Sequence, residues 1–249
     1  MIRMRCRVPA TEVRWPSGNI TADHAEPSHD LCIARVYLIA ILSLHFFLGL
    51  FYNFANPLFE APDEIWHYLY VRHLAEGKGL PQQVLRHSDL LGQQEAAQPP
   101  LYYVVTAALT FWAPRERIAL LARQNPQAAI GSPASDGNKN RFIHGPNEQF
   151  PWQGEVWAVH LARLIATLFG SVTILLTYVI GAAAVNAFIP QVLYIGAAVN
   201  NDVAAAATSS LVLLMSVRLL KDGPTIQRLL LTGLALSLAI LAKYSGLSA

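Results

Sequence analysis

Apolar runs alternate with polar stretches along the chain, and the length of each run limits what it can form. Val36 to about Ala55 carries no formal charge and has the roughly 20-residue length that a membrane-spanning helix needs. Leu101 to Ala113 is equally apolar but only about 13 residues long, which predicts an interfacial or re-entrant helix rather than a crossing. No charged residue occurs from Leu164 through Asn201, a length that suits two spans joined near Gly181–Asn186. Val203 to Leu220 predicts a further span, and a last one starts near Leu229 and leads past Lys243. The fold class expected is all-α, a polytopic transmembrane helix bundle with external juxtamembrane helices.

The polar stretches set the organisation. Residues 1–34, with Pro9, Pro16 and Pro27 and no periodicity, read as a cytoplasmic tail, and 35–249 as the transmembrane module. Residues 56–155 form one long external loop if Leu101–Ala113 does not cross. Arg3, Arg5, Arg7 and Arg14 then share a side with Arg218, Lys221 and Arg228, as the excess of positive charge in cytoplasmic segments requires. Letting 101–113 cross would put those last three outside. The expected location is the plasma or inner membrane, multi-pass, with the N-terminus cytoplasmic.

Composition agrees. Of 249 residues, 53% are hydrophobic and 14% charged, against about a quarter charged in soluble domains. A net charge of +2 with dispersed arginines gives no argument for nucleic acid as a partner. Cys6 and Cys32 make neither a disulfide framework nor a metal-binding pair spacing. His45, inside the first run, reads as a neutral histidine bonded within the bundle.

Chemistry concentrates just after the first run, in Asn56-Pro-Leu-Phe-Glu-Ala-Pro-Asp-Glu-Ile-Trp-His67. Pro57 and Pro62 keep the backbone extended. Glu60, Asp63 and Glu64 follow within five positions, and a helix is expected from about Asp63, placing Asp63 and His67 on one face. Glu95, Gln98, Arg163, Asn201 and Asp202 are expected at the same membrane face. Ionisable groups gathered at a membrane boundary have a functional reading by default. Plainer roles stand beside it: a helix cap for Asp63 and Glu64 or for Asp202, snorkelling for Arg163 and Lys243, and an aromatic belt around His67 with Trp66, Tyr68 and Tyr70.

Four pieces in order resemble the GT-C superfamily of membrane glycosyltransferases, which includes the protein O-mannosyltransferases and the lipid A aminoarabinose transferases. They are Pro62-Asp63-Glu64 with His67; Gln98-Pro99-Pro100-Leu101-Tyr102-Tyr103; His160-Leu161-Ala162-Arg163-Leu164 leading into Leu168-Phe169-Gly170-Ser171-Val172-Thr173; and Phe188-Ile189-Pro190-Gln191 before Asn200-Asn201-Asp202. Asn138-Lys139-Asn140 and Phe150-Pro151-Trp152 match a loop of the bacterial members. The resemblance implies sugar transfer from a polyprenyl-phosphate donor to an unspecified acceptor, with membrane lipids as surroundings. It gives Asp63 the catalytic role, as base toward the acceptor or as holder of a divalent metal ion, with Glu64 supporting. It places Arg163, Asp202, Asn201, Gln98 and Glu95 on the substrates and His67 on a metal. The chain departs from the family in lacking a basic loop between the spans near Gly181, and in ending after fewer spans, so an incomplete C-terminus or an inactive truncated transferase is also expected. A non-catalytic transporter or envelope assembly factor is the other alternative. It would call for charges near the bilayer midplane and paired internal repeats, and the sequence shows neither.

Overall fold

A computed structural model describes residues 27–82, 95–130, 137–180 and 190–244. The fold is all-α, with no strand among the described residues. The helices are α1 (Pro27–Ala55), α2 (Glu64–Ala75), α3 (Leu101–Thr110), α4 (Ile118–Leu121), α5 (Glu155–Ile180), α6 (Pro190–Gly196), α7 (Asp202–Asp222) and α8 (Ile226–Ala242). Three are long and apolar enough to cross a membrane: Ile33–Ala55, Glu155–Val179 and Asp202–Asp222. Leu101–Thr110 and Ile226–Ala242 are shorter apolar helices. The tail before Pro27 and the junction at 181–189 lie outside the described residues, and the span expected to end at Asn201 is described only from Pro190. There it is helical over Pro190–Gly196. Asn200 ends it, donating from its carboxamide to the carbonyls of Ile195 and Ala198 while its Oδ1 accepts from Val203 N at the start of α7.

α1 and α5 run antiparallel. Asn53, near the end of α1, bonds His160 near the start of α5, and Tyr178 Oη donates to the Ala34 carbonyl toward the opposite end. Small residues let them approach: a Cβ on Gly49 would lie 2.5 Å from Thr167 Cγ2, and one on Gly170 would lie 3.3 Å from His45 Nε2. Polar residues within α5 are satisfied by its own backbone. Thr167, Ser171, Thr173 and Thr177 each donate to the carbonyl four residues earlier, so none needs water in an apolar setting. α7 and α8 form an antiparallel hairpin. Gly223 turns the chain with φ +80°, Thr225 caps α8 at Arg228 N, and the Arg228 guanidinium donates to the carbonyls of Asp222 and Gly223.

The main apolar core does not lie between the long helices. It sits at one end of the bundle, where α2 and α3 pack on the starts of α5 and α7 through Phe59, Tyr68, Tyr102, Val159 and Val199. Away from this cap the long helices present apolar faces outward. Only 11% of the apolar window of α1 is buried, and Tyr37, Phe47 and Phe51 on it are exposed. Helices with apolar residues facing outward require an apolar medium.

Gly49→Ala is expected to lower the apparent Tm of the detergent-solubilised protein by the equivalent of about 1–3 kcal/mol, because the Thr167 methyl must move. Gly233→Ala, on α8 with nothing within 4 Å, serves as the control and is expected to raise stability slightly through helix propensity. Equal effects of the two changes would remove the close-approach explanation.

Candidate functional site

The loop joining α1 to α2 is held by one buried ion pair. Pro57 stops α1 from continuing, since the residue before a proline leaves the helical region. The chain then makes two left-handed turns, at Phe59 (φ +64°) and Asp63 (φ +56°). A bulky residue with positive φ is strained by roughly 1–3 kcal/mol. The strain is held by Glu64, the first residue of α2, whose Oε2 accepts from Phe59 N at 2.9 Å. Glu64 receives three further bonds: Arg163 Nε at 2.7 Å, Arg163 Nη2 at 2.7 Å and Val199 N at 3.0 Å. Arg163 spends its remaining donors on the carbonyls of Asn53, Asn56 and Pro57. Both side chains are 0% exposed. All five guanidinium N–H groups and all four carboxylate lone pairs are thereby engaged. Arg163, expected on a substrate phosphate, therefore faces the protein and not a cleft in this arrangement. Glu64, expected to support catalysis, anchors the α1–α2 loop to α5 and to the α6–α7 turn.

Asp63 is the opposite case. Its carboxylate makes no capping bond, and the residue is exposed beside the anchored Glu64. α2 begins one residue later than the sequence suggests, but the Asp63 carbonyl accepts from His67 N, so Asp63 still stands one turn before His67. Asp202 at the start of α7 is also exposed, and it forms an ion pair with Lys243 at the end of α8. Asp63, Asp202 and Lys243 all act electrostatically on both His67 and Glu95. The structure thus brings Asp63, His67, Glu95, Asp202 and Lys243 to one end of the bundle. Gln98 and Asn201 join them, bonded to each other at 3.1 Å, with Asn201 also donating to the Ala242 carbonyl.

His67 is buried, and its Nδ1 lies 2.8 Å from Tyr103 Oη and 4.0 Å from Glu95 Oε2. Burial lowers its pKa to about 4 against the raising influence of Asp202 and Asp63, so His67 is neutral at neutral pH. Burial, followed by the charge of Asp63, raises the pKa of Glu95. Tyr103 stacks on Tyr70 with centroids 3.9 Å apart, giving the cluster an aromatic floor. Among the described residues no three His, Cys, Asp or Glu side chains stand close enough to share a cation, and Tyr103 occupies the ring nitrogen of His67 nearest Glu95.

Three residues have partners that the sequence does not show. Lys243 reads in sequence as snorkelling or reaching toward lipid phosphate, and the fold places it on Asp202. Tyr103 lies in the Gln98–Tyr103 stretch, but nothing in that stretch ties it to His67. Glu60 reads in sequence as one of the three clustered acids, and the fold makes it a clip on residues 141–148. Its carboxylate accepts from Arg141 N and Phe142 N, and His144 bridges Glu60 and Glu148 at 2.8 Å on each side. The bond to Glu148, then that to Glu60, raises the His144 pKa above its ordinary value against the opposing effect of burial.

Two outcomes follow from these contacts. Arg163→Lys is expected to destabilise the folded protein by about 3–5 kcal/mol, because one ammonium cannot serve a bidentate carboxylate and three carbonyls. Thermal unfolding and yield in membranes check this, and wild-type stability would remove the anchoring role. The His144 clip is fully present below the ordinary histidine pKa of 6.5 and is lost as pH rises through the raised value of the folded state. Protease cleavage within 137–150 is therefore expected to accelerate from pH 6 to pH 9 (about the range spanning that transition), and Glu148→Gln is expected to shift the onset to lower pH. A cleavage rate independent of pH in the wild type would contradict the clip.

Comparison with family models, with curated proteins and with solved structures gives no match for this chain.

Proposed function

We propose that this protein is an integral membrane glycosyltransferase that moves a sugar from a polyprenyl-phosphate donor to an acceptor at the external face of the membrane. The observation carrying this reading is the contrast between two adjacent carboxylates. Glu64 is fully bonded inside the anchor, while Asp63, its neighbour, is exposed on a strained turn at the same end of the bundle as Asp202 and Lys243. Backbone strain held in place by buried bonds is a common feature of functional sites. The long apolar helices support a membrane setting, and the ordered sequence pieces supply the reaction class.

The chemistry follows from those positions. Asp63 accepts the proton of an acceptor hydroxyl as that oxygen bonds to the anomeric carbon of the donor. The bond from the anomeric carbon to the lipid-phosphate oxygen breaks, and its electron pair leaves on the phosphate. A cation must balance that charge. Lys243, partly exposed and adjoining Asp202, takes this role in place of Arg163, whose donors are all engaged. Gln98 and Asn201 orient the substrates from the pair they form. Neutral His67, bonded to Tyr103, stands one helical turn after Asp63.

Membranes carrying the protein, supplied with undecaprenyl-phosphate hexoses or pentoses, are expected to transfer sugar. Asp63→Asn is expected to lower the rate by about 10²–10⁴-fold at unchanged thermal stability. Asparagine also tolerates the left-handed backbone, so the turn persists in this variant. Full activity in Asp63→Asn would refute the assignment of Asp63. Absence of transfer from every donor by the folded wild type would count against the reaction class.

A further inference from the structure

A cavity borders the start of the α1–α2 loop, at residues 54–58. It has a volume of about 520 Å³ and opens between the end of α1, the start of α5 and residues 144–152. That volume falls within the roughly 300–1,000 Å³ typical of small-molecule pockets. Phe54, Phe150 and Trp152 supply aromatic surface. His160 lines it too, although the residue is only 5% exposed.

The hydrogen bonds of His160 fix what it offers. Asn53 Nδ2 donates to the His160 carbonyl at 3.1 Å, so Asn53 Oδ1 is the atom 2.8 Å from His160 Nδ1. An amide oxygen only accepts, and therefore Nδ1 carries the proton. Nε2 is left as a lone-pair acceptor, with no partner among the described residues. Trp152 stacks on the ring at 3.5 Å and 10°, which locks its orientation. A donor is also unused: Asn56 lines the same cavity, and its Nδ2 is buried with no partner. The lining holds no lysine or arginine, and His144, which borders the cavity with Glu148, is already engaged by Glu148 and Glu60.

We infer that this cavity binds a neutral, ring-shaped polyol, a saccharide unit, through hydroxyl groups that donate to His160 Nε2 and accept from Asn56 Nδ2. Hydroxyls are the groups that donate and accept at once. An acyl chain in the same space would leave both polar atoms unpaired, and a buried polar group without a partner costs free energy. An anionic ligand would meet Glu148 at the rim and no unengaged cation. The aromatic surface suits the C–H faces of a sugar ring. Binding here does not depend on the transfer reaction proposed for Asp63.

The test is a titration of the whole chain, purified in lauryldimethylamine oxide because maltoside detergents carry competing sugar. The probes are methyl α-D-mannopyranoside and methyl β-D-xylopyranoside, followed by tryptophan fluorescence and by calorimetry. Saturable binding of at least one glycoside is expected, weakened roughly tenfold or more by Asn56→Ala. That change removes no bond made within the protein, because the Asn56 carbonyl still receives Arg163. His160→Gln is expected to weaken binding as well, while Asp63→Asn leaves it unchanged whether or not transfer activity is lost. The inference is overturned if neither glycoside binds to protein with normal thermal unfolding. It is equally overturned if Asn56→Ala binds as well as wild type, or if Asp63→Asn abolishes binding.

Discussion

The Arg163–Glu64 pair is the constraint on which the polar end of this protein depends. An isolated buried charge is costly, and a buried pair is tolerable only when every remaining donor and acceptor is also met. Here that condition is fulfilled by three carbonyls of the α1 terminus and two backbone amides, those of Phe59 and Val199. The pair consequently joins α1, α2, α5 and the turn before α7 at a single point. It also explains why a bulky residue, Phe59, is held at positive φ, since its amide faces an acceptor that tolerates no vacancy. Asp63 owes its exposure to this arrangement: the neighbouring carboxylate takes the interior position and leaves it outside.

The cap and the long helices are built on different physics. In the cap, aromatic and aliphatic side chains of α2, α3, α5 and α7 bury one another as in a soluble core. Along the long helices, contacts rely on small residues and on hydroxyls returned to the helix backbone, while much of the apolar surface faces outward. The clustered polar side chains sit in the first region, where close packing restrains each of them.

Much of the architecture is legible in the sequence because hydropathy and length measure spanning capacity directly. The runs at 36–55 and 203–220 and the first part of the uncharged stretch from Leu164 coincide with the three long helices, and the shortness of 101–113 correctly predicts a brief helix. The uncharged stretch before Asn201 is helical over Pro190–Gly196, and Asn200 bonds the carbonyls of Ile195 and Ala198 and Val203 N where the chain turns into α7. Within the polar end, residue type identified the acids but not their partners. Nothing local separates Asp63 from Glu64, which are adjacent and alike. They differ because an arginine 99 positions away selects one of them. Lys243 is hidden for the same reason, since its contact with Asp202 exists only once the α7–α8 hairpin closes.

That separation of 99 residues has a consequence for biogenesis. At translation rates of about 5–20 residues per second, the loop after α1 emerges about 5–20 s before Arg163 is made. Throughout that interval Glu64 has no counter-charge and Phe59 has no acceptor holding its strained backbone. The first loop is therefore a late-maturing element, completed only when α5 packs against it. A chain in which α5 fails to dock displays an unmatched acidic loop, a feature by which quality-control machinery could distinguish it from the finished protein.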